Sequence, residues 1–160
     1  MADLRLEYLD PSTLADNGKN WRMHGKPQID ALKGVLKEVG WAGALLYNER
    51  TNRLIDGHAR KKVTGKGEKV PVLIGSWSEE DEAKILATLD PLAAMAQPDM
   101  DALLGLLQEV HFDSPDVDAM LEALANGETQ PLKQYQGQTD PDDVPEPPEE
   151  SYVKRGDVWQ

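Results

Sequence analysis

The stretch Leu54-Ile55-Asp56-Gly57-His58-Ala59-Arg60, followed at a short distance by Val70-Pro71-Val72-Leu73-Ile74, decides how the rest of the sequence is interpreted. The first stretch begins with apolar residues that favour a strand, and its glycine permits a sharp turn into a helix. The second stretch is β-branched and apolar, which predicts a buried or edge strand. The predicted order is therefore strand, turn, short helix and strand.

The turn between the predicted strand and helix has the residue types of a phosphate-binding site. Gly57 allows close approach to the backbone N–H groups of a helix start, and Arg60 adds a forked cation. The alternative is an ordinary strand-to-helix turn, in which Asp56 caps the helix, His58 faces water and Arg60 pairs with a nearby carboxylate. The residue pattern alone leaves both interpretations open.

The neighbouring segments predict a mixed α+β fold. Apolar residues alternate with polar ones in Leu4–Leu9, which predicts a half-buried strand. A helix with one apolar face is expected from Pro27 to Val39, before Gly40. Further expected elements are a hairpin from Ala44–Tyr47 and Arg53–Ile55, a short helix over about 57–63, a helix from Glu79 to about Leu89 capped by Ser78, and two helices within 99–125.

Composition limits the classes of protein that remain. The chain has 160 residues, is 39% hydrophobic and contains no cysteine, which excludes disulfides, thiolate nucleophiles and Cys-ligated metal sites. The start lacks a signal-peptide pattern, and the longest apolar run, 41–47, is far shorter than a bilayer span of about 20 residues. We expect a soluble cytoplasmic protein without a membrane partner.

The net charge of −12 is divided unevenly along the chain. Residues 1–75 hold 13 Lys and Arg against 9 Asp and Glu, whereas residues 76–160 hold 4 against 20. Only the first part therefore suits a polyanion such as DNA. Acidic helices that simply keep the protein soluble explain the same charges.

The sequence resembles the ParB/sulfiredoxin-like superfamily over roughly residues 3–110. The Asp56–Arg60 box, the Val-Pro-Val strand and Asn20-Trp21-Arg22-Met23-His24 carry this resemblance. It implies a small mixed sheet with flanking helices in a domain at 1–125, with a helical extension from about 99. It also implies phosphate or nucleotide contacts from Gly57, His58, Arg60 and Arg22. Asp56 would orient them, or act with His58 in catalysis if the protein is an enzyme.

The sequence also departs from this superfamily. The Glu-Asn-x-x-Arg box of chromosome-partition members, which serves nucleoside triphosphate and metal, is replaced by Ala87-Thr88-Leu89-Asp90-Pro91. The acidic, Leu-rich pair of helices at 99–125 has no basic recognition face. A sulfiredoxin reaction is excluded because the chain has no cysteine.

The C-terminal part predicts a second unit. Residues 126–150 are rich in Pro, Gln and acidic residues, which predicts a disordered linker. Residues 151–160 resemble the first strand of amino-methylating DNA methyltransferases, which often follow ParB-like domains in phage and bacterial proteins. S-adenosylmethionine is then expected only in a downstream domain beyond Gln160. An ordinary amphipathic tail is the alternative.

The predicted function is binding of DNA or of a nucleotide phosphate, which directs a fused DNA methyltransferase in DNA modification. One alternative is a ParB-like nuclease or small-molecule kinase that acts through the box. Another is a protein-interaction adaptor that uses helices 99–125. We expect no metal site, a solvated helix start at Glu79–Glu82, and packing roles for Trp21, Trp41 and Trp77.

Overall fold

The computed structural model describes residues 3–128. The predicted methyltransferase strand at 151–160 and most of the predicted linker at 126–150 lie outside these residues. The elements are β1 (Arg5–Leu9), a 3-10 turn (Pro11–Thr13), α1 (Lys26–Glu38), β2 (Leu45–Asn48), β3 (Arg53–Asp56), α2 (His58–Val63), β4 (Val70–Gly75), α3 (Glu79–Ala94), α4 (Met100–Glu109) and α5 (Pro115–Ala125).

The four strands form one mixed sheet in the order β1-β4-β2-β3. β1 pairs antiparallel with β4, β4 pairs parallel with β2, and β2 pairs antiparallel with β3 as the predicted hairpin. A register shift between Leu46 and Tyr47 interrupts the hairpin ladder. The parallel pairing brings the end of β2 beside the end of β4, which fixes where the polar residues after both strands can meet.

One face of the sheet supplies the main core. The fully buried side chains of Leu45, Leu54, Val70 and Val72 pack together there with Leu14 and Ile74. Burying a side chain of this size contributes roughly 1.5–3 kcal/mol. The core therefore joins β3, which precedes the turn at residues 56–57, to β4, which follows α2.

The helices match their predicted positions, but one boundary was wrong. The sequence predicted that α3 ends near Leu89, and instead the helix continues through Pro91 to Ala94. Proline inside a helix removes one N–H donor, and the alanines that follow Leu92 favour helix continuation. The extra turn contains Pro91, Ala93 and Ala94, which line the cleft described below. No helix of residues 3–128 combines the length and apolar character needed to cross a bilayer.

Helix α5 packs against α1, where Gly34 permits close contact. A Cβ atom at this position would lie 2.3 Å from Ser114 Oγ and 2.7 Å from Val117 Cγ2. Val117 and Ala31 are both buried. By contrast, α4 has no buried residue.

Candidate functional site

The turn from β3 into α2 requires glycine at position 57. Gly57 has φ 96° and ψ 17°, in the left-handed region, and its carbonyl accepts a 2.8 Å hydrogen bond from Lys61 N–H at the start of α2. A Cβ atom there would lie 2.3 Å from Cδ2 of the buried Leu45. Any larger residue would be strained by both its backbone conformation and its contact with the core.

Asp56, the last residue of β3, bridges two arginines that come from different parts of the chain. Its Oδ1 accepts a 2.8 Å hydrogen bond from Arg22 Nη1, and its Oδ2 accepts a 2.7 Å hydrogen bond from Arg60 Nη2. The three side chains are between 14% and 25% exposed. Asp56 therefore fixes the separation and orientation of two guanidinium groups in a partly buried site.

The charge state of Asp56 follows from these contacts. Burial alone would raise the pKa of this carboxyl group, but the hydrogen bond from Arg22 and the charge of Arg60 outweigh burial and hold the pKa below its ordinary value. Asp56 is therefore a carboxylate at neutral pH. Both of its oxygens already accept hydrogen bonds from arginine, which makes it a poor proton acceptor for a substrate.

A second carboxylate, Asp90 of α3, approaches the same arginine. It forms an ion pair with Nε of Arg22, although the two groups are not aligned as a hydrogen bond. Arg22 Nη2 is shielded from solvent and has no hydrogen-bond partner among residues 3–128. Arg60 uses Nη2 for Asp56, whereas its Nε and Nη1 bond to no side chain or carbonyl in that part of the chain. Arg60 thus retains N–H donors for an anion, whereas the Nη2 group of Arg22 is buried.

His58, the first residue of α2, is 5% exposed. Its Nε2 accepts a long, 3.4 Å hydrogen bond from the backbone N–H of Asn17, so we assign the proton of the neutral ring to Nδ1. Burial lowers the pKa of His58 below its ordinary value. A contact from this side chain to an anion would therefore come from a neutral Nδ1–H group.

These groups line a cleft of about 880 Å³ between α2, the C-terminal half of α3 and the segment before α1. Every residue that the sequence analysis proposed for the site lies in it: Arg22, Asp56, Gly57, His58 and Arg60. The remaining wall combines apolar and small residues with a few polar ones: Trp21, Met23, His24, Gln28, Leu32, Ala59, Asp90, Pro91, Ala93, Ala94 and Ala96. Among residues 3–128 no three His, Asp or Glu side chains converge as metal ligands would.

The expectation of a solvated helix start at Glu79–Glu82 was wrong for Glu82, which is 1% exposed. Its carboxylate accepts 2.7 Å hydrogen bonds from Asn17 Nδ2 and Asn48 Nδ2, and a short one from the Thr51 hydroxyl. Arg53 Nη1 lies 3.8 Å from Glu82 Oε1. This network joins α3, the end of β2, the hairpin turn and the segment that contacts His58.

Sequence reasoning also missed Asp90. Glu82, Leu86 and Asp90 are spaced four residues apart, so they lie on one face of a helix that continues past Leu89. The signal was therefore present in the sequence, but the early end predicted for α3 placed Asp90 outside it.

Comparisons with known proteins bear on the fold. No family model and no curated protein sequence matches the chain. A solved Pnob8-like ParB-N domain aligns with a TM-score of 0.49 at 20% identity, over 79% of this chain and 51% of that one, so this chain spans about half of its length. The C-terminally truncated chromosome-partitioning protein ParB from Caulobacter crescentus, solved in complex with CTP-gamma-S, aligns with a TM-score of 0.52 at 12% identity, over 79% of this chain and 73% of that one. The predicted small mixed sheet with flanking helices is thereby confirmed, and the described part of the chain has a ParB-like fold.

Proposed function

We propose that this domain binds the phosphate groups of a nucleotide in the cleft that contains Arg22 and Arg60. The observation that carries the proposal is the pair of guanidinium groups that Asp56 holds side by side. Arg60 has N–H donors to spare, and Nη2 of Arg22 is buried without a hydrogen-bond partner among residues 3–128. Guanidinium groups are suited to phosphate because their forked N–H groups match its oxygens.

The size and lining of the cleft favour a small ligand over a duplex. Its volume of about 880 Å³ is within the range of roughly 300–1,000 Å³ for small-molecule sites. Arg22 is only 14% exposed, which suits contact with a small ligand inside the cleft better than contact with the backbone of a double helix. The apolar and small residues of α3 offer a surface for the uncharged part of a nucleotide. The ParB protein of similar fold was solved with CTP-gamma-S, which agrees with this ligand class.

DNA is a second candidate ligand, at a different surface. The segment 60–69 carries five basic residues and one acidic residue, and Lys62, Lys66 and Lys69 are exposed. Such a cluster suits contacts to the phosphate backbone without base recognition. We further propose that binding directs a fused DNA methyltransferase that starts at 151–160, and this part rests on the sequence alone.

The alternative functions are less well supported. A nuclease or small-molecule kinase that uses Asp56 and His58 needs an available base, but both Asp56 oxygens and the His58 Nε2 are already engaged. An adaptor role for 99–125 finds support in the exposed apolar side chains of α4, which include Leu104 and Leu106. Nothing in the described chain indicates what would cover them.

The test is the variant Arg60→Ala, measured with each of the four ribonucleoside triphosphates and with inorganic triphosphate. Loss of a charge-assisted hydrogen bond costs about 1.5–3 kcal/mol, so the Kd should rise roughly 10- to 150-fold. Arg60→Lys should restore only part of this loss, because lysine keeps the charge but lacks the fork. Arg50→Ala removes an exposed arginine of the hairpin turn, outside the cleft, and should leave the Kd unchanged.

Salt dependence separates the two ligands. Loss of one phosphate contact should flatten the slope of log affinity against log salt by somewhat less than about one unit. Binding of a short DNA duplex by the 60–69 segment should have a steeper slope and should weaken when Lys62 and Lys66 are replaced together. If Arg60→Ala lowers the free energy of unfolding substantially while nucleotide affinity and slope stay unchanged, Arg60 is structural and the proposal fails.

A further inference from the structure

Strand β1 is at an edge of the sheet and has apolar side chains on the face away from the core. Leu9 packs against the core cluster, so alternation along the strand places Leu6 and Tyr8 on the opposite face, together with Leu4 if the alternation continues one residue before the strand. The side chains of Leu4, Leu6 and Tyr8 are 51%, 58% and 62% exposed. Only β4 pairs with β1, so the backbone groups along the outer edge of β1 have no strand partner within the described residues.

The charges on β1 are also arranged in a specific way. Arg5 and Glu7 lie on the other face of the strand, on either side of Leu6, and are 50% and 43% exposed. Within one copy Arg5 Nε donates to Glu7 Oε1 and Arg5 Nη2 donates to Glu49 Oε2, each at 2.7 Å. Such exposed ion pairs contribute little to stability, so they can be exchanged for pairs with a second copy. An exposed edge is ordinarily protected from pairing by charged side chains. Here the two charges have opposite sign and equal distance from Leu6, which makes the strand complementary to its own inverted copy.

We propose that β1 is a homodimer interface, in which the β1 strands of two copies pair antiparallel about a twofold axis at Leu6. In this register Arg5 is opposite the partner's Glu7, Leu4 is opposite the partner's Tyr8, and Leu6 is opposite the partner's Leu6. The two four-stranded sheets would join into one, with a self-complementary contact of the kind typical of twofold dimers.

The charges select this register over its neighbours. In a continuous sheet the core-facing side chains of both copies must lie on the same face. The register of the two β1 strands can therefore change only by two residues at a time. The next register in one direction places Arg5 opposite Arg5, and the next in the other direction places Glu7 opposite Glu7. Like charges directly opposite each other are unfavourable in a sheet. Opposite charges and apolar pairs coincide in the register centred on Leu6.

The absence of cysteine from the sequence makes this register directly testable. Directly opposite residues of antiparallel strands have Cα atoms about 4.5–5.5 Å apart, within the range of about 4.4–6.8 Å that a disulfide needs. Leu6→Cys should therefore form a cross-linked dimer under mild oxidation. Tyr8→Cys should not, because the two cysteines would be offset by about 13 Å along the strands. A mixture of Leu4→Cys and Tyr8→Cys should form the cross-link that neither forms alone.

Charge reversal provides an independent test by analytical ultracentrifugation of the full chain. Arg5→Glu and Glu7→Arg should each weaken self-association at least tenfold, and an equimolar mixture of the two should recover it as a heterodimer. Lys66→Glu and Glu68→Arg, which reverse exposed charges in the loop before β4, are the matched controls and should associate as the parent does.

Each outcome decides the proposal. A parent protein that sediments as a monomer at every concentration up to millimolar overturns the proposal. A monomer is also the result expected if another segment of the chain covers β1. A dimer that both charge variants retain overturns it as well, because the interface then lies elsewhere. Cross-linking of Tyr8→Cys as fast as Leu6→Cys would show that the strands are not paired in this register.

Discussion

Glu82 should contribute more to the stability of this domain than most other polar side chains. Its carboxylate is almost fully buried and accepts hydrogen bonds from Asn17, Asn48 and Thr51. In Glu82→Gln the new amide NH2 faces at least one of these donors, which is left unsatisfied at a cost of about 1–3 kcal/mol. In Glu82→Ala all three neutral donors lose their acceptor, so at about 1–3 kcal/mol for each buried group left unsatisfied we expect a loss of at least about 3 kcal/mol.

The pH dependence of this effect has a definite sign. Burial would raise the pKa of Glu82, but the hydrogen bonds from Thr51, Asn48 and Asn17 and the charge of Arg53 outweigh burial, so the pKa is lower in the folded protein than its ordinary value of 4.5. The unfolded chain therefore binds the proton first as the pH falls. The stabilising contribution is complete above about pH 4.5 and is lost as the pH falls through the folded pKa. The parent should accordingly lose more stability below pH 4.5 than Glu82→Gln does.

Urea unfolding followed by tryptophan fluorescence measures both effects, because Trp77 is tied to the network through its backbone. Trp77 N–H donates to Asn48 Oδ1 at 3.0 Å, and its carbonyl accepts from Asn48 Nδ2 at 3.1 Å. The matched control is Glu80→Gln in the same first turn of α3, where the side chain is 80% exposed and, among residues 3–128, pairs only with Lys84. Its free energy of unfolding should change by less than about 0.5 kcal/mol. If Glu82→Gln is equally harmless, or titrates as the parent does, the network does not stabilise the fold.

Two glycine substitutions test the close contacts beside the site and between helices. Gly57→Ala should lower the free energy of unfolding by about 2–4 kcal/mol, because the backbone is left-handed and a Cβ atom would clash with Leu45. Gly67 also has a positive φ but lies in open space, so Gly67→Ala should lower the free energy of unfolding by only about 1–2 kcal/mol. Gly34→Ala should destabilise by about 1–3 kcal/mol because α5 is displaced, although the same change in the exposed Gly105 of α4 should stabilise by up to about 1 kcal/mol through helix propensity. Equal effects within either pair in urea unfolding would contradict the contacts described.

Local patterns were sufficient for most of the fold. Alternation predicted β1, the turn residues between Tyr47 and Arg53 predicted the hairpin, and Ser78 marked the start of α3, where its hydroxyl accepts from Asp81 N–H at 3.1 Å. These signals are local because strand alternation, turns and caps depend on residues within a few positions of each other. The order of the strands did not follow from such signals, since β4 inserts between β1 and β2 through contacts distant in sequence.

The same division between local and distant signals explains why only part of the candidate site was predicted. The box Asp56–Arg60 is contiguous, so it could be singled out from the sequence, and the resemblance to the ParB/sulfiredoxin-like superfamily implied a role for its glycine, histidine and arginine. Glu82 could not be assigned this way, because a run of acidic residues at a helix start is ordinarily exposed and stabilised by the helix dipole. Asp90 was missed for another reason, because the predicted end of α3 near Leu89 left it outside the helix. What distinguishes Glu82 is the convergence of Asn17, Asn48 and Thr51, which are distant in sequence from it and from one another.

One face of α3 explains why the buried network and the cleft belong together. Each residue of this face holds one residue of the irregular segment before α1: Glu82 accepts from Asn17 Nδ2 at 2.7 Å, the Leu86 carbonyl accepts from Trp21 Nε1 at 3.1 Å, and Asp90 pairs with Arg22. The segment contains no helix or strand to fix its shape, so these contacts help to hold it in place. Because the contacts are one helical turn apart, a rotation of α3 that broke the bond at Glu82 would also move Asp90 away from Arg22. The position of the deeper arginine therefore depends on a carboxylate two turns away that never touches the cleft.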